Sequence, residues 1–65
     1  MRFEEVMKFL LDGFKVRRLS WDSEVYIKFN NFGKLIRYSP DEVGVYPVDI
    51  DDARNNDWDF YNEEE

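Results

Sequence analysis

The stretch FEEVMKFLLDGFKV, residues 3 to 16, decides the fold because a helical pattern changes into a strand pattern within it. Glu4 and Glu5 suit the positive end of a helix dipole, and Gly13 suits a left-handed C-terminal cap. Apolar residues recur at intervals of three and four, as on one face of a helix; they are Phe3, Val6, Met7, Leu10, Leu11 and Phe14. The sequence therefore predicts a helix over about residues 3 to 12 whose apolar stripe faces the core.

A strand follows this helix, since apolar and basic residues alternate through FKVR, residues 14 to 17. The alternation changes phase at Arg17 and Arg18, and two interpretations are open. In the first, an extra residue forms a β-bulge, a device that redirects side chains and is frequent beside functional sites. In the second, the strand ends at Arg18 and a loop carries Leu19 to Trp21.

The rest of the chain predicts further short strands. VYIKFNN and KLIRYS, residues 25–31 and 34–39, read as a hairpin around the turn NNFG. A short strand is expected around Val43 to Tyr46, then a single helical turn capped by Asp49, then an edge strand in WDFY, residues 58–61. This order predicts an α+β fold, a single domain over residues 1–65 with the N-terminal helix packed on a small antiparallel β-sheet and a frayed acidic tail at residues 62–65.

Composition narrows the possible chemistry. The 65 residues include no Cys and no His, so disulfides, thiolate metal sites and a histidine general base are excluded. The Asp-rich segment from residue 49 to 59 fits helix capping and a solvated face better than paired catalytic carboxylates. It also lacks the glycine and the closing glutamate of a calcium loop. We therefore predict a protein that is not an enzyme and holds no metal or cofactor; without a signal peptide or membrane span, we expect it in the cytoplasm.

Charge divides the chain into two parts. Residues 1–40 carry eight Lys and Arg against five Asp and Glu, a net of +3, whereas residues 41–65 carry one against ten, a net of −9. Lys28, Lys34 and Arg37 with Tyr26 and Tyr38 resemble a basic sheet with stacking aromatics, as in proteins that bind nucleic acid. The acidic C-terminal part leaves too small a positive area for that, so we predict no nucleic-acid partner.

A small anionic ligand needs fewer cations. Arginine offers a planar fork that suits phosphate, and tryptophan offers a rigid stacking surface. Arg17 or Arg18, with Trp21 and a tyrosine, would clamp a nucleotide-like molecule. The alternative is structural: an arginine pairs with the acidic C-terminal segment across the sheet, and Trp21 fills the core.

Two segments, FEEVMKFLLDGFKVRRLSW and DIDDARNNDWDFY, carry a resemblance to a known family. Together they resemble the phage-encoded Thoeris anti-defence sponge family, second type, whose members open with F-x-E-A-L-x-x-L-x-x-G-x-x-V-x-R-x-x-W and close on an acidic residue, a helical turn and D-W. The matching residues of the opening are Phe3, Glu5, Val6, Leu10, Gly13, Val16, Arg18 and Trp21, and those of the close are Asp49, Ile50, Ala53, Asp57 and Trp58. The chain is shorter than the members of this family, and the shortened segment lies between Tyr38 and Asp49.

The resemblance implies a homo-oligomer, a dimer or a tetramer, whose pockets capture cyclic ADP-ribose-type signals from TIR-domain enzymes, and also cyclic dinucleotides, without cleaving them. On this hypothesis Arg17 and Arg18 contact phosphate, Trp21 and Tyr26 stack or line the pocket, and Asp57 accepts a hydrogen bond from a base or ribose. Trp58 is expected in the core, because it alternates with two aspartates. The alternative function is an acidic inhibitor or nucleic-acid mimic that binds a protein through the C-terminal part.

Overall fold

The chain forms an α+β domain, which confirms the predicted fold class. The computed structural model describes residues 1–61, and the predicted frayed tail at residues 62–65 lies outside them. The sheet is antiparallel throughout, with the strand order β4-β3-β2-β1-β5. In chain order the elements are α1 (Phe3–Leu11), β1 (Val16–Arg18), β2 (Tyr26–Phe29), β3 (Leu35–Tyr38), β4 (Val43–Val45), α2 (Ile50–Arg54) and β5 (Trp58–Phe60).

Helix α1 covers one face of the sheet and supplies much of the core. Its first turn is fixed by the Glu5 carboxylate, which accepts a hydrogen bond from the Arg2 backbone N–H at 2.8 Å. It ends where predicted, because Gly13 adopts a positive φ of 96°. Most of the predicted apolar stripe faces inward, but Leu11 and Phe14 are 72% and 51% exposed. Leu11 lies at the rim of the stripe, where the helix surface turns away from the sheet, and Phe14 follows the end of the helix.

The core lies between α1 and the centre of the sheet. Five side chains are fully or almost fully buried there: Val6, Leu10, Val16, Ile27 and Trp58. The strand register explains this grouping, since Val16 lies directly opposite both Ile27 on β2 and Phe60 on β5. The burial of Trp58 confirms the prediction that it is a core residue.

The second sheet face carries the alternate side chains of every strand, and neither helix packs on it; we call it the open face. The register assigns to it Lys15, Arg17, Tyr26, Lys28, Ile36, Tyr38, Val43, Val45, Asp59 and Tyr61. Most of these residues are charged or aromatic. The open face therefore combines cations with aromatic rings on adjacent strands.

The change of phase after β1 is a strand end and not a bulge. β1 stops at Arg18, and a turn follows in which the Trp21 N–H donates to the Arg18 carbonyl at 3.0 Å. Of the two interpretations left open by the sequence, the loop is therefore correct. Leu19, which resumed the apolar alternation in the sequence, is 57% exposed in this loop.

The predicted hairpin and C-terminal elements are present. β2 and β3 pair from Tyr26 opposite Tyr38 to Phe29 opposite Leu35. Asp49 caps α2 as expected, because its carboxylate accepts the backbone N–H of Asp52 at 3.1 Å.

Candidate functional site

The two adjacent arginines lie on opposite faces of the sheet, because successive side chains of a strand alternate. Arg18 shares the helix-covered side with Val16, whereas Arg17 belongs to the open face. A single clamp built from both arginines is therefore not formed within one chain. The two arginines have different environments. The contacts that each one makes indicate whether its role is structural or ligand-binding.

Arg18 is neutralised by carboxylates of its own chain. Its Nε donates to Asp57 Oδ1 at 2.9 Å and its Nη2 to Oδ2 at 3.3 Å, while Nη1 lies 3.6 Å from Asp52 Oδ1. The hydrogen bonds from Arg18 hold the pKa of Asp57 below its usual value. The hydrogen bond to Asp57 raises the pKa of Arg18 in turn. This is the structural alternative considered for the arginines, pairing with the acidic C-terminal segment.

A polar cluster surrounds this ion pair on the helix-covered side. Asp52 is buried, and its carboxylate also accepts the Asp49 backbone N–H at 3.3 Å. The Trp58 indole N–H donates to the Asp52 carbonyl at 3.0 Å. Burial, together with a hydrogen bond to Asp52, raises the pKa of Tyr46, so this phenol stays protonated. In the cluster one guanidinium pairs with two carboxylates, and these contacts join α2 to the sheet.

Trp21 extends the core from the loop after β1. Its ring contacts Tyr46 and Trp58 in edge-to-face arrangements, with centroid distances of 5.6 and 5.5 Å. The side chain is half-buried and on the same side as these two rings. Its backbone carbonyl faces the other way, towards Arg17.

Arg17 differs from Arg18 because no carboxylate among residues 1–61 forms an ion pair with it. Its Nη2 donates to the Trp21 carbonyl at 2.7 Å, and its Nε is buried without a hydrogen-bond partner among residues 1–61. No carboxylate of the described residues lies within ion-pair distance of it. Asp59 is its cross-strand neighbour, but that carboxylate accepts the Phe60 backbone N–H at 2.8 Å. The result is a half-buried guanidinium with spare donors.

Three tyrosines lie beside Arg17 on the open face, and we call them the tyrosine row: Tyr38, Tyr26 and Tyr61. The rings of Tyr26 and Tyr38 are stacked, with centroids 5.0 Å apart and an interplanar angle of 17°. Tyr61 approaches Tyr26 to 4.4 Å from the other side. Lys15 places its Nζ 4.9 Å from the Tyr26 ring centroid, in cation–π geometry.

The tyrosine row includes residues that our sequence-based site omitted. Tyr38 was predicted on the hairpin but not assigned to the ligand site, and Tyr61 was not singled out at all. The signal for Tyr38 was present, because the NNFG turn places it opposite Tyr26. Tyr61 depends on the pairing of β5 with β1, a contact between distant parts of the sequence.

Of the five predicted site residues, the structure brings Arg17 and Tyr26 together on the open face. Arg18 and Asp57 bind each other on the helix-covered side, and Trp21 reaches the open face only through its carbonyl. Among residues 1–61 no group of three or more carboxylates is placed to hold a metal ion. The arrangement thus offers planar aromatic surfaces beside the Arg17 guanidinium, the means to hold a flat, negatively charged molecule.

Comparison with family models, with curated proteins and with solved structures finds no match to this chain. Within residues 1–61 no helix has the length and apolar character needed to cross a membrane. The functional argument therefore rests on the geometry of the chain itself, with the resemblance of its two end segments beside it.

Proposed function

We propose that the protein binds an anionic cyclic nucleotide on its open face and sequesters it without converting it. The observation that carries this proposal is Arg17, a half-buried guanidinium with an unpartnered Nε and no carboxylate partner in the described chain, next to the tyrosine row. A buried donor without a partner destabilises the free protein, and an incoming acceptor would remove that cost once the groups that cover Nε move aside.

The spacing of these groups suits a ligand that combines a base with a phosphate. By the strand register Arg17 lies directly opposite Tyr26, and Tyr38 lies one strand further. Since adjacent strands are about 4.8 Å apart, a stacking surface and a phosphate-binding guanidinium lie within about 10 Å of each other. Lys28, on the same face, adds a further cation. A base stacks on the exposed part of the tyrosine row while its phosphate accepts hydrogen bonds from Arg17.

The resemblance to the anti-defence sponge family supports the same class of ligand. It implies cyclic ADP-ribose-type signals or cyclic dinucleotides, a homo-oligomer, and action in the cytoplasm of an infected bacterial cell. Our proposal differs from the sequence-based site in its residues. Arg18 and Asp57 become a structural ion pair, and the contacts to the ligand come from Arg17, Tyr26 and their neighbours on the open face.

The proposal is tested by calorimetric titration of the protein with a panel of linear and cyclic nucleotides that includes cyclic ADP-ribose isomers and cyclic dinucleotides. We expect one cyclic class to bind, and Arg17→Gln to weaken it by at least about tenfold, since hydrogen bonds to charged groups contribute about 1.5–3 kcal/mol. Arg37→Gln is the matched control. It removes the same charge, but from a side chain on the helix-covered side whose partner is Glu42 at 3.5 Å.

Two further measurements separate the rival functions. The ligand is recovered after heat denaturation of the complex and analysed by mass spectrometry; recovery of a hydrolysed product would refute sequestration without conversion. If no nucleotide binds, the proposal fails. The acidic-inhibitor alternative then gains weight, and it predicts a protein complex that is lost steeply with rising salt.

A further inference from the structure

The two edges of the sheet differ, and residues 1–61 close only one of them. In β5 the outward backbone donors belong to Trp58 and Phe60, because Asp59 pairs with β1. The Trp58 N–H donates to the Met1 carbonyl at 3.1 Å, and the Phe60 N–H to the Asp59 carboxylate at 2.8 Å. The donors along this edge are therefore occupied, so another strand cannot pair with them.

The opposite edge, β4, is open. The Ser39 N–H donates to Glu42 and the Tyr46 N–H to Leu35, at 3.0 and 2.9 Å. By the alternation of an antiparallel ladder, Gly44 then directs its N–H and C=O groups at β3. The backbone groups of the two flanking valines consequently point outward, away from the sheet. In the described chain no residue pairs with them.

The side chains of β4 also fail to protect this edge. Val43 and Val45 are 62% and 67% exposed, and neither a Lys nor a Pro stands within the strand. Natural sheets usually protect their edges with charged residues, proline or bulges, and an unprotected apolar edge is a site for strand addition. Its three-residue length and the flanking Pro40 and Pro47 limit how far this edge can pair.

From these observations we infer that β4 is a self-association edge, at which a second copy of the chain adds its own β4 in antiparallel orientation. The strand Val-Gly-Val reads the same in both directions, so a two-fold axis at Gly44 places Val43 of one copy opposite Val45 of the other. Each such pair exchanges both backbone hydrogen bonds. No other sequence is needed to complete the pairing.

The distribution of charge also favours a second copy of the chain as the partner of β4. Two acidic residues, Asp41 and Glu42, precede β4, and in the two-fold arrangement they face Pro47 and Tyr46 of the second copy and not each other. Like charges are thus kept apart, although each chain is strongly acidic. Pro40 and Pro47 stop the pairing at both ends, since proline cannot donate to a ladder. The interface is small, and we expect a weak, concentration-dependent dimer.

The dimer does not rest on the proposed nucleotide site and leaves it within each chain. Strand β1 of one copy is separated from β1 of the other by six strands, so the two Arg17 residues would lie about 34 Å apart. Association and nucleotide binding are therefore measured separately, so failure of the edge pairing is distinguishable from failure of nucleotide binding.

The test is sedimentation equilibrium of the full chain up to about 1 mM, with Val45→Lys as the variant and Phe32→Lys as the matched control. Phe32 is 88% exposed in the hairpin turn between β2 and β3, outside β4, and gives the same change of charge. We expect the parent chain and Phe32→Lys to dimerise, and Val45→Lys to dimerise at least about tenfold more weakly. Circular dichroism verifies that both variants fold.

Amide hydrogen exchange gives a second readout without mutation. The Gly44 amide is protected in the monomer, whereas the amides of Val43 and Val45 exchange freely and become protected as the concentration rises. A parent chain that stays monomeric at about 1 mM would overturn the inference. A dimer that survives Val45→Lys unchanged, or is lost in Phe32→Lys, would place the interface elsewhere and overturn it equally.

Discussion

Separate substitutions of the two arginines test whether they have different roles. Methionine replaces each one, because it keeps the apolar stem and removes only the charged group. Arg18→Met leaves Asp57 without its two guanidinium donors and Asp52 without its paired cation; their side chains are 31% and 12% exposed. Breaking a charged pair that is largely buried costs about 2–3 kcal/mol, somewhat less than in a fully buried site.

That loss is large for so small a chain. A domain of this length has a free energy of unfolding of about 3–10 kcal/mol, and each kcal/mol shifts its melting temperature by about 4–8 °C. Arg18→Met should therefore lower the melting temperature by about 10–20 °C. Arg17→Met removes one hydrogen bond to the Trp21 carbonyl and also an unpartnered buried Nε, and these effects offset each other to within about 1 kcal/mol.

The assay is thermal unfolding followed by circular dichroism, combined with the nucleotide titration of both variants. We expect Arg18→Met to be destabilised and, at temperatures where it is folded, to bind normally. Arg17→Met should be nearly as stable as the parent and should lose binding. Equal destabilisation by the two substitutions, or loss of binding in Arg18→Met alone, would refute the division of roles.

Two more predictions concern the acidic C-terminal segment. The pKa of Asp57 is lowered in the folded chain, so its stabilising effect is complete above about pH 4, the ordinary pKa of Asp, and is lost as the pH falls through the lower folded value. Asp57→Asn should thus reduce the free energy of unfolding by about 1–2 kcal/mol at pH 7, and urea titrations should show this difference shrinking in acid; a constant difference would contradict the linkage. Asp49→Ala removes the cap of α2 and should cost about 1 kcal/mol in the same urea assay, whereas Asp41→Ala, an exposed loop control, should cost close to nothing.

Much of the fold was predictable because it depends on local patterns. The apolar stripe of α1, the positive φ of Gly13, the NNFG turn and the cap of α2 are each encoded within a few residues. The phase change at Arg18 could not be resolved in this way. A bulge and a strand end give the same short-range pattern, and the choice depends on the turn that Trp21 closes onto Arg18.

The candidate site was less predictable, because it depends on which strands are neighbours. The sequence placed basic and aromatic residues near one another along the chain and treated Arg17 and Arg18 as one group. Strand alternation separates them, and the pairing of β1 with β5 decides which arginine meets a carboxylate. The same pairing brings Tyr61 next to Tyr26, across 35 residues of sequence. Such contacts follow from topology and not from periodicity.

The division of the arginines also explains how a chain with a net charge of −6 can present a site for an anion. Asp52 and Asp57 are held on the helix-covered side by Arg18, and Asp49 is used as a helix cap. Charges more than about 8 Å apart in water are largely screened at physiological salt, so an approaching ligand responds to the nearest groups and not to the net charge. Around Arg17 those groups are Lys15, Lys28 and the tyrosine row, opposed by Asp59. The acidic residues that bind Arg18 therefore stabilise the fold without neutralising the open face. Arg18 has a structural role, and the adjacent Arg17 remains available to bind a ligand.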